Sequence, residues 1–203
     1  MNAVYPHHYG LHLFEYLLII EPSNLVQKQL RAFKQYFIKS YRYPNAIVSK
    51  SHMTLMRFIQ YDSYENHMVR EFQRIADMAM PFDVELHGFG SFGHTLFVDV
   101  KSEVPILQLI ATHRRTLRPL VSGVKGHAAR FVTKPHITIA RKLTPPQNAM
   151  VWPIWNRTAY HGEFRARNMT LLRRRVGTHT YSTVHKFEFL GLSPAFTQGK
   201  LFA

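Results

Sequence analysis

The sequence predicts an α+β fold, a duplicated β-α-β-α-β unit whose two lobes share a central cleft. Three observations carry that reading. Strand-like and helix-like stretches follow the same order twice, and a short motif recurs 84 residues apart, at His52 and at His136. With 203 residues, 46% of them hydrophobic, the chain can bury a full core as one domain. Two copies are too few, and their period too long, for a solenoid. The expected lobes are about residues 11–93 and 94–192 of a single domain spanning 1–203.

Leu13–Ile20 is a near-continuous apolar run of strand length, closed by Glu21-Pro22. Ser23 or Asn24 can cap a helix in which Val26, Leu30, Phe33 and Phe37 form one apolar face. Tyr43-Pro44-Asn45 breaks it. A strand from His52 to about Gln60 follows. Asp62-Ser63 then opens a helix with Met68, Phe72, Ile75 and Ala79 on one side, and Pro81 ends it. Phe82–Gly90 and Thr95–Lys101 read as strands around a Gly-Ser-Phe-Gly turn.

The second copy starts at Thr95–Val100. One helix is expected from about Val104 to Val121, carrying Ile106, Ile110, Leu117 and Leu120, with His113 on the same stripe as a packed or boundary residue. Ser122-Gly123 and Gly126 lead out of it, and a strand begins near Phe131. Pro135 inside that strand cannot donate to a ladder, which asks for a local bulge. Pro145-Pro146 opens a helix that Pro153 interrupts. Phe164–Val176 and Lys186–Leu192 are the last strands, joined by a polar loop from Gly177 to Tyr181.

The repeated motif is His-x-Thr-apolar-x-Arg: His52-Met53-Thr54-Leu55-Met56-Arg57 and His136-Ile137-Thr138-Ile139-Ala140-Arg141. On a strand, alternate residues share a face, so His and Thr stand side by side, about 7 Å apart, and the apolar residues between them enter a core. With 13 histidines, a single His-x-Thr means little. Two that also agree on Arg should arise by chance in under about one chain in a hundred. The plain alternative is a pair of core strands whose His and Thr satisfy each other.

Composition narrows the chemistry. There is no cysteine, so disulfides, a thiolate nucleophile and Cys-based metal sites are excluded. No clustered carboxylates at ligand spacing accompany the two histidines, so no metal site is expected. Leu11–Ile20 is about ten residues long and carries His12 and Glu15, too short and too polar to span a membrane. A cytoplasmic, monomeric protein without membrane contact is the expectation. The 26 Lys and Arg against 12 Asp and Glu give a net charge of +14, which favours an anionic partner such as phosphate. The basic residues gather at His113–Arg118, Arg165–Arg167 and Arg173–Arg175, each of which alone reads as a solvated face.

Paired His-x-Thr motifs half a chain apart, each on a strand of a duplicated α+β unit, resemble the two-histidine (2H) phosphoesterase superfamily. The second copy is most similar to the bacterial RNA 2′,5′-ligase and 2′,3′-cyclic phosphodiesterase branch. The first departs from it, with Met56-Arg57-Phe58-Ile59 where Phe-Leu-Gly commonly follows. The resemblance implies metal-independent, cofactor-free phosphodiester chemistry on RNA ends or cyclic nucleotides. It implies catalytic His52 and His136, with Thr54 and Thr138 holding the phosphate.

The residue types suit that chemistry on their own. In-line cleavage of a phosphodiester needs a base and an acid, and histidine supplies either near neutral pH. Hydroxyl donors stabilise the phosphate oxygens without a metal. Which histidine is base and which acid is not legible in the sequence. By strand parity Arg57 and Arg141 lie on the face away from the histidines, and reach a phosphate only if the strand bends. Tyr181, in the last polar loop, is a further candidate for substrate contact. His7, His8, His12, His161 and His179 belong to no pattern. Opening of 2′,3′-cyclic phosphates is the first expectation. A 2′,5′-phosphodiester ligase or hydrolase, and a basic RNA-binding module without turnover, are the alternatives.

Overall fold

The computed structural model describes residues 12–43 and 50–193; His7, His8 and the expected break at Pro44-Asn45 lie outside them. In chain order the elements are β1 (Leu13–Ile20), α1 (Asn24–Tyr41), β2 (Met53–Tyr61), α2 (Glu65–Met78), β3 (Phe82–Ser91), β4 (Thr95–Val100), α3 (Glu103–Ala111) and α4 (Arg114–Val121). They continue with β5 (Arg130–Phe131), β6 (His136–Arg141), α5 (Pro145–Trp155), β7 (His161–Ala166), β8 (Asn168–Arg175) and β9 (Ser182–Glu188). The order β-α-β-α-β occurs in β1 to β3 as the sequence predicts, and β4 to β7 repeat the plan with the first helix split into α3 and α4 and the short β5 added before β6.

Local chemistry sets most boundaries. Ser23 Oγ accepts from the Val26 N–H and starts α1, whose Val26, Leu30 and Phe37 are buried. Thr144 and Gln147 form a reciprocal capping box at the start of α5. Pro153 does not interrupt α5: the helix runs on to Trp155, whose buried ring packs near Phe33, Phe37 and Phe89. That aromatic anchor holds the last turn despite the backbone hydrogen bond a proline forfeits.

Three further expectations are corrected. The helix over 104–121 is two helices, because an apolar stripe reads the same in one helix or in two that both face the core. The strand over 164–176 breaks at Arg167 into β7 and β8. Lys186–Leu192 shifts to Ser182–Glu188, since Leu190 and Leu192 instead bond the backbone at the end of α2.

All the strand pairings are antiparallel, in one nine-stranded sheet ordered β7-β3-β4-β6-β2-β1-β8-β9, with β5 alongside β2. The two motif strands, β2 and β6, are neighbours at its middle, each flanked by the first strand of its own repeat. Outside that centre the halves interleave. β3, from the first repeat, lies between β4 and β7, and the C-terminal β8 pairs with β1. The sequence halves 11–93 and 94–192 are therefore not the halves of the sheet. Only Arg167 separates β7 at one end of the path from β8 beyond its middle, so the sheet curls to bring those strands together. Phe82 of β3 stacks on Phe189, just beyond β9, with centroids 5.9 Å apart, which closes the same gap.

One face of the sheet carries the core. Tyr16, Leu18 and Ile20 of β1, Met53 and Leu55 of β2, and Ile137 and Ile139 of β6 pack there with α1, α2 and α4 residues. The other face is where the polar motif residues stand.

Candidate active site

A single backbone pairing, Met53 with Ile137, joins β2 to β6. Both residues are fully buried in the core. Antiparallel register carried one residue either way sets His52 across from Thr138 and Thr54 across from His136, all four on the face opposite the core. The two histidines occupy diagonal corners of this square, with Cα atoms about 7–8 Å apart in regular strand geometry. All four side chains are partly accessible.

Each motif strand carries a β-bulge at the same position. On β2, Ile19 pairs with Thr54 and Leu18 with Met56, which leaves Leu55 extra. On β6, Phe97 pairs with Thr138 and Leu96 with Ala140, which leaves Ile139 extra. A bulge flips the parity of everything after it. Leu55 with Met56, and Ile139 with Ala140, are consecutive buried residues for that reason. Arg57 and Arg141 therefore return to the face of His and Thr. Simple strand parity put them on the opposite side, and the structure corrects that.

The histidines are held alike. His52 Nδ1 lies 3.1 Å from the Lys50 carbonyl and His136 Nδ1 2.8 Å from the Lys134 carbonyl. A carbonyl only accepts, so Nδ1 carries the proton in both rings and Nε2 is left for proton transfer. The repeat thus extends back to a lysine two residues before each histidine. Lys50 pairs with Glu21, and Lys134 with Asp99 and Glu103.

Their surroundings differ. Burial pushes the pKa of His52 down; the Lys50 carbonyl and Glu21 oppose this, the charges of Lys34 and Arg141 add to it, and the net is a lowered value. Lys34, on α1 and only 5% exposed, is itself pulled down to about 8 by burial and by the nearby Arg141 and Arg31 charges. His136 sits instead against aromatic rings, with Phe97 at 5.0 Å and Phe92 at 5.1 Å between centroids. Gly90 makes room for this: a Cβ there would lie 2.4 Å from the Phe97 ring.

Arg57 and Tyr181 meet at a carboxylate. Glu15, on β1 and 7% exposed, accepts from Arg57 Nη2 at 2.8 Å, from Arg174 Nη2 at 2.9 Å and from the Tyr181 hydroxyl. Burial alone would raise the Glu15 pKa, but these hydrogen bonds, Arg174 first, hold it below the usual carboxylate range. Tyr181 is pushed the other way by burial and by Glu15, and stays a neutral donor. Arg174 lies over the Tyr181 ring at 4.8 Å. Arg141 stands close enough to feel Tyr181, Arg57, Arg174 and Glu15, and its pKa is lowered chiefly by burial.

The structure thus brings all seven expected residues toward one face: His52, Thr54, Arg57, His136, Thr138, Arg141 and Tyr181. Glu15, Lys34, Phe92, Phe97 and Arg174 escaped the sequence reading. A carboxylate inside an apolar strand is a usable signal for Glu15, and a lysine on the apolar stripe of α1 is one for Lys34. Among the described residues no three His, Cys, Asp or Glu gather as metal ligands, and no helix is long and apolar enough to cross a membrane.

The model of the 2′-5′ RNA ligase superfamily matches residues 22–178. The chain belongs to that family. Among solved structures it resembles TT0787 of Thermus thermophilus, with a TM-score of 0.64 at 18% identity, over 87% of this chain and 98% of that one. It also resembles E. coli LigT complexed with 3′-AMP, with a TM-score of 0.61 at 14% identity, over 88% and 98% of the two chains. A structure described as a phosphoesterase gives a TM-score of 0.55 at 14% identity, over 86% and 98%. No curated protein sequence matches the chain. At these identities the structures share the α+β fold, and the family match is what extends beyond it.

Proposed function

We propose that this member of the 2′-5′ RNA ligase superfamily opens 2′,3′-cyclic phosphates at RNA ends or on nucleotides, with no metal or other cofactor. The observation that carries the reading is the equivalent tethering of the two imidazoles, each bound through Nδ1 to its own strand so that Nε2 can exchange a proton. Family membership and the 3′-AMP, ATP and phosphate complexes of E. coli LigT support a nucleotide phosphate as ligand.

In this mechanism His52 is the general base. Its neutral form is favoured by burial and by the Lys34 and Arg141 charges, so its Nε2 takes a proton from water. The water oxygen attacks phosphorus in line, and the bond from phosphorus to one ribose oxygen breaks. His136, as the general acid, gives that oxygen a proton. Thr54 and Thr138 donate to the non-bridging oxygens as negative charge grows on them, and Arg57 and Arg141 add positive charge on the same face. Glu15 positions Arg57, and Phe92 offers an aromatic face beside His136 for the terminal base.

With a ribose hydroxyl in place of water, the same groups join that hydroxyl to the cyclic phosphate: His52 takes its proton, the new P–O bond forms, and the ring bond to one ribose oxygen breaks with a proton from His136. The family's own description makes a 2′,5′ linkage the second reading. A panel of cyclic nucleotides, RNA with a 2′,3′-cyclic phosphate end and 2′,5′-linked dinucleotides, assayed with and without EDTA, separates the two. Turnover of the cyclic ends in EDTA is expected. A His136→Ala protein working at the wild-type rate would overturn the dyad, and a wild-type protein that turns over none of the panel would leave only RNA binding without catalysis.

A further inference from the structure

Lys50 and Lys134 stand two residues before the motif histidines, where a free ammonium would be an obvious ligand for a phosphate at the dyad. Neither is free. Lys50 Nζ lies 2.8 Å from Glu21, and Lys134 Nζ lies 2.9 Å from Asp99 and 2.5 Å from Glu103. The carboxylates come from the same place in both copies, the junction of the first strand and the first helix. Glu21 directly follows β1, Asp99 is the last residue but one of β4, and Glu103 opens α3.

Stability does not account for this recurrence. All five side chains are at least partly exposed, and ion pairs that reach solvent contribute little to a fold. What the two clamps share is their position. Lys50 and Lys134 both lie ahead of their strands, outside the ladders. Their carbonyls are the ones that accept from Nδ1 of His52 and of His136. Asp99 is also the direct cross-strand partner of His136, so the clamp on Lys134 starts from the dyad's face of the sheet.

The copies differ in what else holds that backbone. Beside Lys50, Ser51 is gripped by Gln27 of α1, whose side chain donates to the Ser51 carbonyl at 2.6 Å and accepts from its N–H at 3.0 Å. Beside Lys134 stands Pro135, which has no N–H to give. Two carboxylates meet Lys134 where one meets Lys50. Their hydrogen bonds, Glu103 first, raise the pKa of Lys134 and keep it charged.

We infer that Glu21–Lys50 and Asp99/Glu103–Lys134 are positioning residues. Each ion pair anchors the lysine backbone so that its carbonyl keeps the histidine two residues on in the Nδ1–H tautomer, with Nε2 left for proton transfer. The lysines then serve the imidazoles rather than the phosphate. Without the anchor the carbonyl swings away, and the neutral ring can carry its proton on Nε2, where it cannot act as a base. This rests on the reading of the dyad given under Proposed function, but the tautomer is measured without turnover.

The test uses Lys50→Met, Lys134→Met and Lys134→Arg in the full chain. Nitrogen NMR of the rings in alkaline buffer reads the tautomers, and steady-state kinetics on a 2′,3′-cyclic mononucleotide reads kcat and KM separately. Lys134→Met should move the His136 proton toward Nε2 and leave His52 unchanged. It should lower kcat by about tenfold or more, with KM within about twofold. Lys50→Met should disturb His52 less, because Gln27 still holds Ser51. Lys134→Arg keeps the pairing and should restore the tautomer and most of kcat. Asp99→Asn/Glu103→Gln releases the same ammonium and should match Lys134→Met, which gives a second variant if the first does not fold. Thermal melting checks folding. A folded protein of either kind with the wild-type tautomer at His136 overturns the inference. So does a rise in KM at unchanged kcat in Lys134→Met, which would make Lys134 a phosphate ligand. If no cyclic phosphate turns over, the dyad reading fails and the tautomer alone decides the clamp.

Discussion

Met53 pairs with Ile137, and this one contact across the seam sets each motif histidine beside the threonine of the other motif. A dyad assembled this way acts as a unit. His52→Ala and His136→Ala should each remove most turnover, and the double variant should be little worse than either. Thr54→Ala and Thr138→Ala should be milder, roughly 10–10³-fold, since proton transfer survives. Steady-state kinetics on a 2′,3′-cyclic phosphate checks the set, and additive losses from the two histidines would refute a shared step.

The pH profile should show which histidine is the base. The pKa of His52 is lowered from 6.5, so the acid limb of kcat/KM should fall below that value. Arg141→Gln removes one of the charges that depress it and should move the His52 titration upward, as followed by NMR of the ring. Stability has the matching sign. The unfolded chain takes up this proton at a higher pH than the folded one, so stability is lost as pH falls from about 6.5 toward the folded value.

Glu15→Gln should destabilise the fold by about 2–3 kcal/mol at pH 7. That is less than the roughly 3–5 kcal/mol typical of a broken buried pair, because Arg57 reaches solvent. The Glu15 pKa lies below 4.5 in the folded chain. Its contribution is therefore complete above that value and lost as pH falls through the folded one, so the two proteins should converge in acid. Thermal melts across pH measure this. An equal gap at every pH would mean the charge is not what Glu15 contributes.

Gly90→Ala puts a methyl group where the Phe97 ring lies. The ring must shift, and it flanks His136. Expected is a loss in kcat larger than any rise in KM, on the order of 10-fold or more, with NMR shifts at His136 and none at His52. Unchanged kcat in a folded protein would show that the aromatic wall does not position the ring.

The amino-acid order by itself determined the strand–helix–motif strand–helix–strand plan of both copies, the helix starts at Ser23 or Asn24 and at Pro145-Pro146, and the pairing of His and Thr on each motif strand. Those features are local: residues two apart on a strand share a face whatever lies beside it. The sequence also carried the family resemblance in its two short motifs. The sides taken by Arg57 and Arg141 were decided only in three dimensions, because the bulges at Leu55 and Ile139 exist only relative to the neighbouring strands β1 and β4. The exchange of β3 and β8 between the halves of the sheet, and the meeting of Arg57, Arg174 and Tyr181 at Glu15, are likewise tertiary. They join residues up to 166 positions apart, and no periodicity along the chain encodes a contact made across it.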